Sequence, residues 1–182
     1  MTTRDFLFLL GSSRTGGNTE TLARLAAEQL PAGTGQRWLD LRDLPLPDFE
    51  DRRHADGRPP TLTGNSATLL EATLAATDVV IASPLYWYSV STSTKRYLDH
   101  WSGWLEAPGA DFRRRMAGKT LWGVTALADD DPAVAEPLAG TLRNSARYLG
   151  MRWGGVLLGN GSRPGDVLTD TEAAARAKVF FS

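Results

Sequence analysis

The chain has 182 residues, 42 % of them apolar and 23 % charged, with a formal net charge of −1. That length and balance describe a single domain, residues 1–182, with an ordinary buried core, and give no electrostatic basis for nucleic acid or an anionic membrane surface as a partner. Cysteine is absent, which excludes disulfides, thiolate nucleophiles, iron–sulfur clusters and cysteine-bound zinc together, so any redox chemistry has to come from a bound cofactor.

In chain order, the apolar run Phe6 to Leu10 reads as a buried strand. It is too short for a signal sequence or a membrane span, so the expected location is the cytoplasm. A glycine- and hydroxyl-rich stretch, "GSSRTGGNTETL" from Gly11 to Leu22, leads into a helix predicted from Asn18 to Leu30. That helix carries Leu22, Leu25 and Ala26 on one side, Glu20, Arg24 and Glu28 on the other, and is ended by Pro31 and Gly33. A weaker strand follows at Gln36 to Leu41, and a charged, proline-rich surface loop at Arg42 to Leu62. A second helix spans Gly64 to Thr77 and a buried strand Val79 to Ser83. A third helix, Ser91 to Trp104, places Tyr97, Leu98, Trp101 and Trp104 at helical spacing.

The strand Thr120 to Thr125 precedes a helix opened by Asp131 as N-cap with Pro132 in its first turn and closed at Gly150; Pro137 lies late in that turn or kinks the helix. A weaker strand, Trp153 to Leu158, and a last helix, Thr169 to Phe180, opened by a Thr169…Glu172 capping box, complete the chain. Five strands alternating with five helices form an α/β architecture: a parallel sheet covered on both faces.

In such a sheet ligands bind beyond the carboxyl ends of the strands, and the Gly11–Leu22 stretch lies beyond the first of them. Its glycines allow close backbone approach. The following helix aims free N–H groups at the same point, and Ser12, Ser13, Arg14, Thr15, Asn18 and Thr19 add side-chain donors. The stretch matches neither the nucleoside triphosphate loop nor the dinucleotide fingerprint. Two readings stand on the residues alone: an anion site, or a polar turn with Asn18 or Thr19 as N-cap.

The segment "SPLYWYSVSTSTKRYLDHW", Ser83 to Trp101, leaves the third strand through a proline and three adjacent aromatics, Tyr86, Trp87 and Tyr88. Side chains in a row at a strand end cannot all face the core, and a flat ligand stacked on them gives a physical reason for their presence. With "GSSRTGGNTETLA" in register before it, the segment resembles the flavodoxin-like, FMN-dependent NAD(P)H oxidoreductases, a family of FMN, quinone and azo-dye reductases. The resemblance implies a doubly wound five-stranded parallel sheet in the order 2-1-3-4-5. It further implies FMN held at its phosphate by Ser12, Arg14, Gly17, Asn18 and Thr19, with the flavin ring beside Pro84, Leu85, Tyr86 and Trp87 and a third contact at Thr125 and Ala126.

The chain departs from the family pattern where Asp129, Asp130 and Asp131 follow that third contact. It departs again at Tyr88 and at His100. Carboxylates near the ring would oppose a reduced anionic flavin, whereas Asp131 as a helix cap, with its neighbours in water, would not. Trp101 and Trp104 join Tyr86, Trp87 and Tyr88 as aromatic candidates for the pocket, and Tyr86 and Tyr88 are candidate hydrogen-bond donors to an acceptor oxygen. Lys95 and Asp99 read as a helix-surface pair, Arg113 to Arg115 as solvated charge, and His54 and His100 as too few for a metal site.

The expected activity is hydride transfer from NADPH or NADH through FMN to a quinone, an azo compound or free flavin, in a homodimer. A flavodoxin-type electron carrier and a cofactor-less binding domain are the alternatives. The near-neutral charge speaks against the carrier, and only the altered third loop favours the binding domain.

Overall fold

The structure is a computed structural model describing residues 4–51 and 62–182. Five strands, β1 (Asp5–Leu10), β2 (Gly35–Asp40), β3 (Asp78–Ala82), β4 (Thr120–Leu127) and β5 (Arg152–Asn160), pair in parallel in the order 2-1-3-4-5. Helix α1 (Asn18–Ala27) and the C-terminal α6 (Thr171–Ala177) cover one face. Helices α2 (Gly64–Ala75), α3 (Thr92–Leu105), the short α4 (Phe112–Met116) and α5 (Glu136–Tyr148) cover the other.

Period-two alternation explains why the central strands read as unbroken apolar runs. Phe6, Phe8, Leu10, Val80, Trp122 and Val124 pack under α1 and α6, while Leu7, Leu9, Val79, Ile81 and Leu121 pack under α2 to α5. Between β4 and β5 the register slips at Leu121 and Trp122. Gly154 is the extra residue, and a Cβ there would stand 2.2 Å from the Trp122 ring.

Several element ends differ from the sequence expectation. Helix α1 stops at Ala27 and tightens through Gln29 N–H to Ala26 O and Leu30 N–H to Ala27 O. Asp131 caps as expected, its carboxylate accepting from Ala133 N–H at 2.9 Å, but the first turn is a 3-10 turn, Pro132–Ala135, and Pro137 lies in the first turn of α5. The Thr169…Glu172 capping box does not form. Thr169 ends a 3-10 turn, and Asp170 caps α6 by accepting from Ala173 N–H at 2.8 Å. Helix α4 was not foreseen; its five residues are too few to show a period, and Phe112 and Met116 anchor it in the core.

The arginine run lies on α4, away from the strand exits. Arg113 stacks over Tyr148 and donates to its carbonyl, and Arg114 pairs with Asp111. Lys95 and Asp99 form the expected pair at 2.6 Å on the exposed surface of α3. His54 lies outside the described residues, and His100 bonds the Pro47 carbonyl beside Phe49. Among the described residues no helix is long and apolar enough to cross a membrane, and no cluster of three or more metal-ligating side chains occurs.

Candidate active site

Chain order reverses at β1, whose neighbours are β2 and β3, so the loops after β1 and β3 leave a crevice between them. Gly11 starts the first loop by donating its N–H to Ala82 O at 2.9 Å. A Cβ on Gly11 would fall 2.0 Å from Thr94 Oγ1, so only glycine lets β1 exit this close to the start of α3. Ser93 Oγ donates to Gly11 O at 3.0 Å, and Ser91 caps α3 by accepting from Thr94 N–H. The two loops meet again at the rim, where Ser13 Oγ and the Tyr86 hydroxyl share a 2.8 Å hydrogen bond.

Between them lies a cleft of about 580 Å³, counted to its open mouth. Ser12, Arg14, Gly17, Asn18 and Thr19 line its polar end; Pro84, Leu85 and Tyr86 line a second wall, and Ala126, Leu127 and Ala128 a third. Gly16 takes the turn into α1 at φ 62°, and its N–H donates to Glu20 Oε2 at 3.0 Å. The first main-chain bond of the helix is Thr21 N–H to Gly17 O. The amides before Thr21 therefore have no helical acceptor and, with the helix dipole, favour an anion there.

Two of the expected cofactor residues are not part of the wall. Thr125 is fully buried, with Oγ1 lacking a hydrogen-bond partner among the described residues, because its side chain alternates to the face opposite Val124 and Ala126. Trp87 points into solvent at 93 % exposure, and Tyr88 is 56 % exposed. Tyr86 and Ser89 exchange main-chain hydrogen bonds of 3.0 and 3.1 Å, so Trp87 and Tyr88 are the two residues of a tight hairpin turn, both at positive φ (47° and 63°). This backbone is strained for aromatic residues. Trp101 and Trp104, expected as pocket aromatics, are instead core: they pack edge-to-face with Tyr97 and Phe112 beneath α3.

The aspartates after β4 do not line the cleft. Asp129 accepts from Asp131 N–H at 2.9 Å, and Asp130 accepts from Asn160 Nδ2. Both border a separate depression beside β5.

Sequence reasoning missed two contributors. Arg42, just past β2, donates to Thr15 Oγ1 at 2.9 Å while paired with Asp40. Burial pushes the Asp40 carboxyl up, but the hydrogen bonds from Arg42 outweigh it and hold the group below its ordinary value. Gly161, Ser162 and Pro164, after β5, complete the cleft. Their signal was the run Asn160-Gly161-Ser162-Arg163-Pro164-Gly165 at a strand exit, a turn composition like that of the first loop.

The residues fit a phosphorylated planar ligand: donors and one cation at the end facing the α1 N-terminus, apolar and aromatic walls along the rest. Comparison with known proteins agrees. The family model described as NADPH-dependent FMN reductase matches residues 5–152. A protein of Bacillus subtilis (strain 168), provisionally named NAD(P)H-dependent FMN-containing oxidoreductase YwqN, is 32 % identical over 169 residues, covering 92 % of this chain and 91 % of its own. The solved Trp repressor binding protein from Bacillus subtilis superposes with a TM-score of 0.79 at 26 % identity, covering 98 % of each chain. An FMN-dependent NADH-azoreductase from Bacillus anthracis str. Ames Ancestor, solved with FMN, shares the fold with a TM-score of 0.63 at 14 % identity over 96 % of each chain.

Proposed function

The chain belongs to the NADPH-dependent FMN reductase family, and on that premise we propose that the cleft binds FMN and that the protein uses NADPH or NADH to reduce a small planar acceptor, a quinone, an azo compound or free flavin. The observation that carries this reading is the meeting of the β1 and β3 exits on one cleft, polar at the α1 end and apolar along its walls. In it Arg14, the Ser12 and Thr19 hydroxyls and the first-turn amides of α1 hold the phosphate. Thr19 Oγ1 accepts from Ala126 N–H at 3.2 Å, which leaves its own hydrogen to donate.

Pro84, Leu85 and Tyr86 would hold the ring from one wall of the cleft and Ala126 to Ala128 from another. FMN, when bound, would supply the redox chemistry between the nicotinamide and the acceptor. The protein positions the ring and keeps the Asp129 and Asp130 carboxylates out of the wall, so they would not stand against the negative charge gained on reduction.

Family membership favours the enzyme over the electron carrier and the cofactor-less binding domain. A homodimer in the cytoplasm is part of the reading. The test is absorbance of the purified protein with added FMN, then anaerobic NADPH and NADH. Bleaching followed by reoxidation with a quinone or azo dye is the expected result. Colour that neither nicotinamide bleaches would make the protein a carrier, and failure to take up FMN would overturn the reading.

A further inference from the structure

The loop after β5 folds over the exit of β4, whose residues Ala126 to Ala128 form the third wall, and Gly161, Ser162 and Pro164 line the cleft beside Asn18. Asn18 ties this loop to α1 with both ends of its side-chain amide. Nδ2 donates to Arg163 O at 2.8 Å, and Oδ1 accepts from Gly165 N–H at 2.9 Å. The residue is only 8 % exposed, so water competes little for these bonds.

Other bonds fix the same loop. Gly161 N–H donates to Leu127 O at 2.9 Å, and Asp166 Oδ2 accepts from the N–H groups of Ser162 and Arg163 at 3.1 and 2.6 Å. Gly161 is packed so closely that a Cβ would lie 2.8 Å from Asn18 Nδ2 and 2.8 Å from the main-chain nitrogen of Val167, an atom that cannot swing away. The Ser162 hydroxyl is exposed on this loop and bonds no other described residue.

We infer that residues 161–165 are a fourth wall of the mononucleotide site, and that Asn18 is its positioning residue: the amide holds this loop at the phosphate end of the cleft instead of serving as a phosphate ligand. The inference rests on the FMN reading of the cleft. The wall adds the Ser162 hydroxyl as a donor and closes the polar end, and both depend on the loop staying folded back against α1. Releasing it leaves each binding event to order the loop anew.

Two variants test the tether from opposite sides. Asn18→Ala removes the amide, while Asp166→Ala removes the acceptor of the Ser162 and Arg163 N–H groups and so loosens the loop without touching the Asn18 side chain. Hydrogen–deuterium exchange on the ligand-free proteins, with the strand amides as folding control, is expected to show residues 160–166 exchanging at least about tenfold faster in Asn18→Ala, with β1 and β3 unchanged. FMN binding, read by quenching of flavin fluorescence, is expected to weaken about tenfold in each variant. The double variant should bind no worse than the weaker single one, because both changes act through one loop.

A direct phosphate contact by Asn18 would give the opposite pattern: unchanged exchange in Asn18→Ala, unaffected FMN binding in Asp166→Ala, and effects that multiply in the double variant. Any of these would overturn the inference while the FMN reading stood. A wild-type protein that takes up no FMN would overturn both.

Discussion

Replacing Asp78 with asparagine is expected to destabilise the fold without changing the cleft. Asp78 begins β3 at the pole of the sheet opposite the strand exits and is 3 % exposed. Its carboxylate accepts four hydrogen bonds: from Arg4 Nε at 3.2 Å and NH2 at 2.7 Å, Trp122 Nε1 at 2.9 Å and the Thr77 hydroxyl at 2.8 Å. Arg4 also donates to Phe181 O at 2.6 Å, so the network fastens the end of the chain to the sheet. Burial pushes the Asp78 carboxyl up, but these donors outweigh it and hold the group below its ordinary value.

Asparagine loses the charge and turns an NH2 group toward one of the donors. A hydrogen bond to a charged group contributes about 1.5–3 kcal/mol, but the Arg4 side chain is 41 % exposed and water takes over part of its share. The net loss is about 2–3 kcal/mol at pH 7, a fall in Tm of about 5–10 °C for a chain of this size. A group with a lowered folded pKa stabilises fully above its unfolded value, near 3.9, and loses that contribution as pH falls through the folded value. Asparagine imitates the protonated carboxyl, so the gap between wild type and variant should narrow steadily as the pH is lowered from about 5. Urea denaturation across that range measures it. A deficit below about 0.5 kcal/mol at pH 7, or one independent of pH, would refute the reasoning. FMN affinity should be unchanged, because roughly 16 Å of strand separates Asp78 from the cleft.

Exchanging Trp87-Tyr88 for Asn-Gly, the pair that two-residue turns with positive φ favour, should relieve the hairpin and raise stability by about 1 kcal/mol; a lower Tm would mean that the exposed aromatics pack against something in solution. Gly154→Ala should cost about 1–3 kcal/mol, because the added methyl meets the buried Trp122 ring, and urea denaturation reads it directly. Tyr86→Phe removes the rim bond to Ser13 and is expected to raise the Kd for FMN about two- to fivefold with kcat unchanged. A tenfold drop in quinone kcat would instead make the Tyr86 hydroxyl a proton donor.

The sheet was readable because parallel strands buried on both faces are continuous apolar runs, and β1, β3 and β4 are such runs. What escaped were features set by a few atoms: the five-residue α4, the 3-10 turn before α5, and the choice of Asp170 over Thr169 as a cap. Aromatic residues divide the same way. Tyr97, Trp101 and Trp104 follow the i, i+4, i+7 spacing of one helix face, and that periodicity marks them as core. Tyr86, Trp87 and Tyr88 have no period, and their exposure follows from a tight turn that the sequence shows only as neighbouring loop residues.

The polar residues of the first loop were legible as a class, but their partners were not, since each partner lies on a different strand exit. Thr15 receives Arg42 from the exit of β2, Ser13 meets Tyr86 after β3, Thr19 receives Ala126 N–H on β4, and Asn18 holds Arg163 and Gly165 after β5. Beyond the strand ends of a parallel sheet only a few main-chain bonds continue, such as Gly11 N–H to Ala82 O and Gly161 N–H to Leu127 O, and side chains supply the other bridges between the exits. The bridges are unequal. Those from Asn18 and Thr19 are buried, whereas those from Ser13 and Thr15 face water, where such a bond contributes little net stability. The first loop's side-chain bridges are therefore firm along the β4 and β5 side of the mouth and weak along its β2 and β3 side, an asymmetry that arises from which of the small polar residues in Ser12–Thr19 fall inside the first turn of α1 and which precede it.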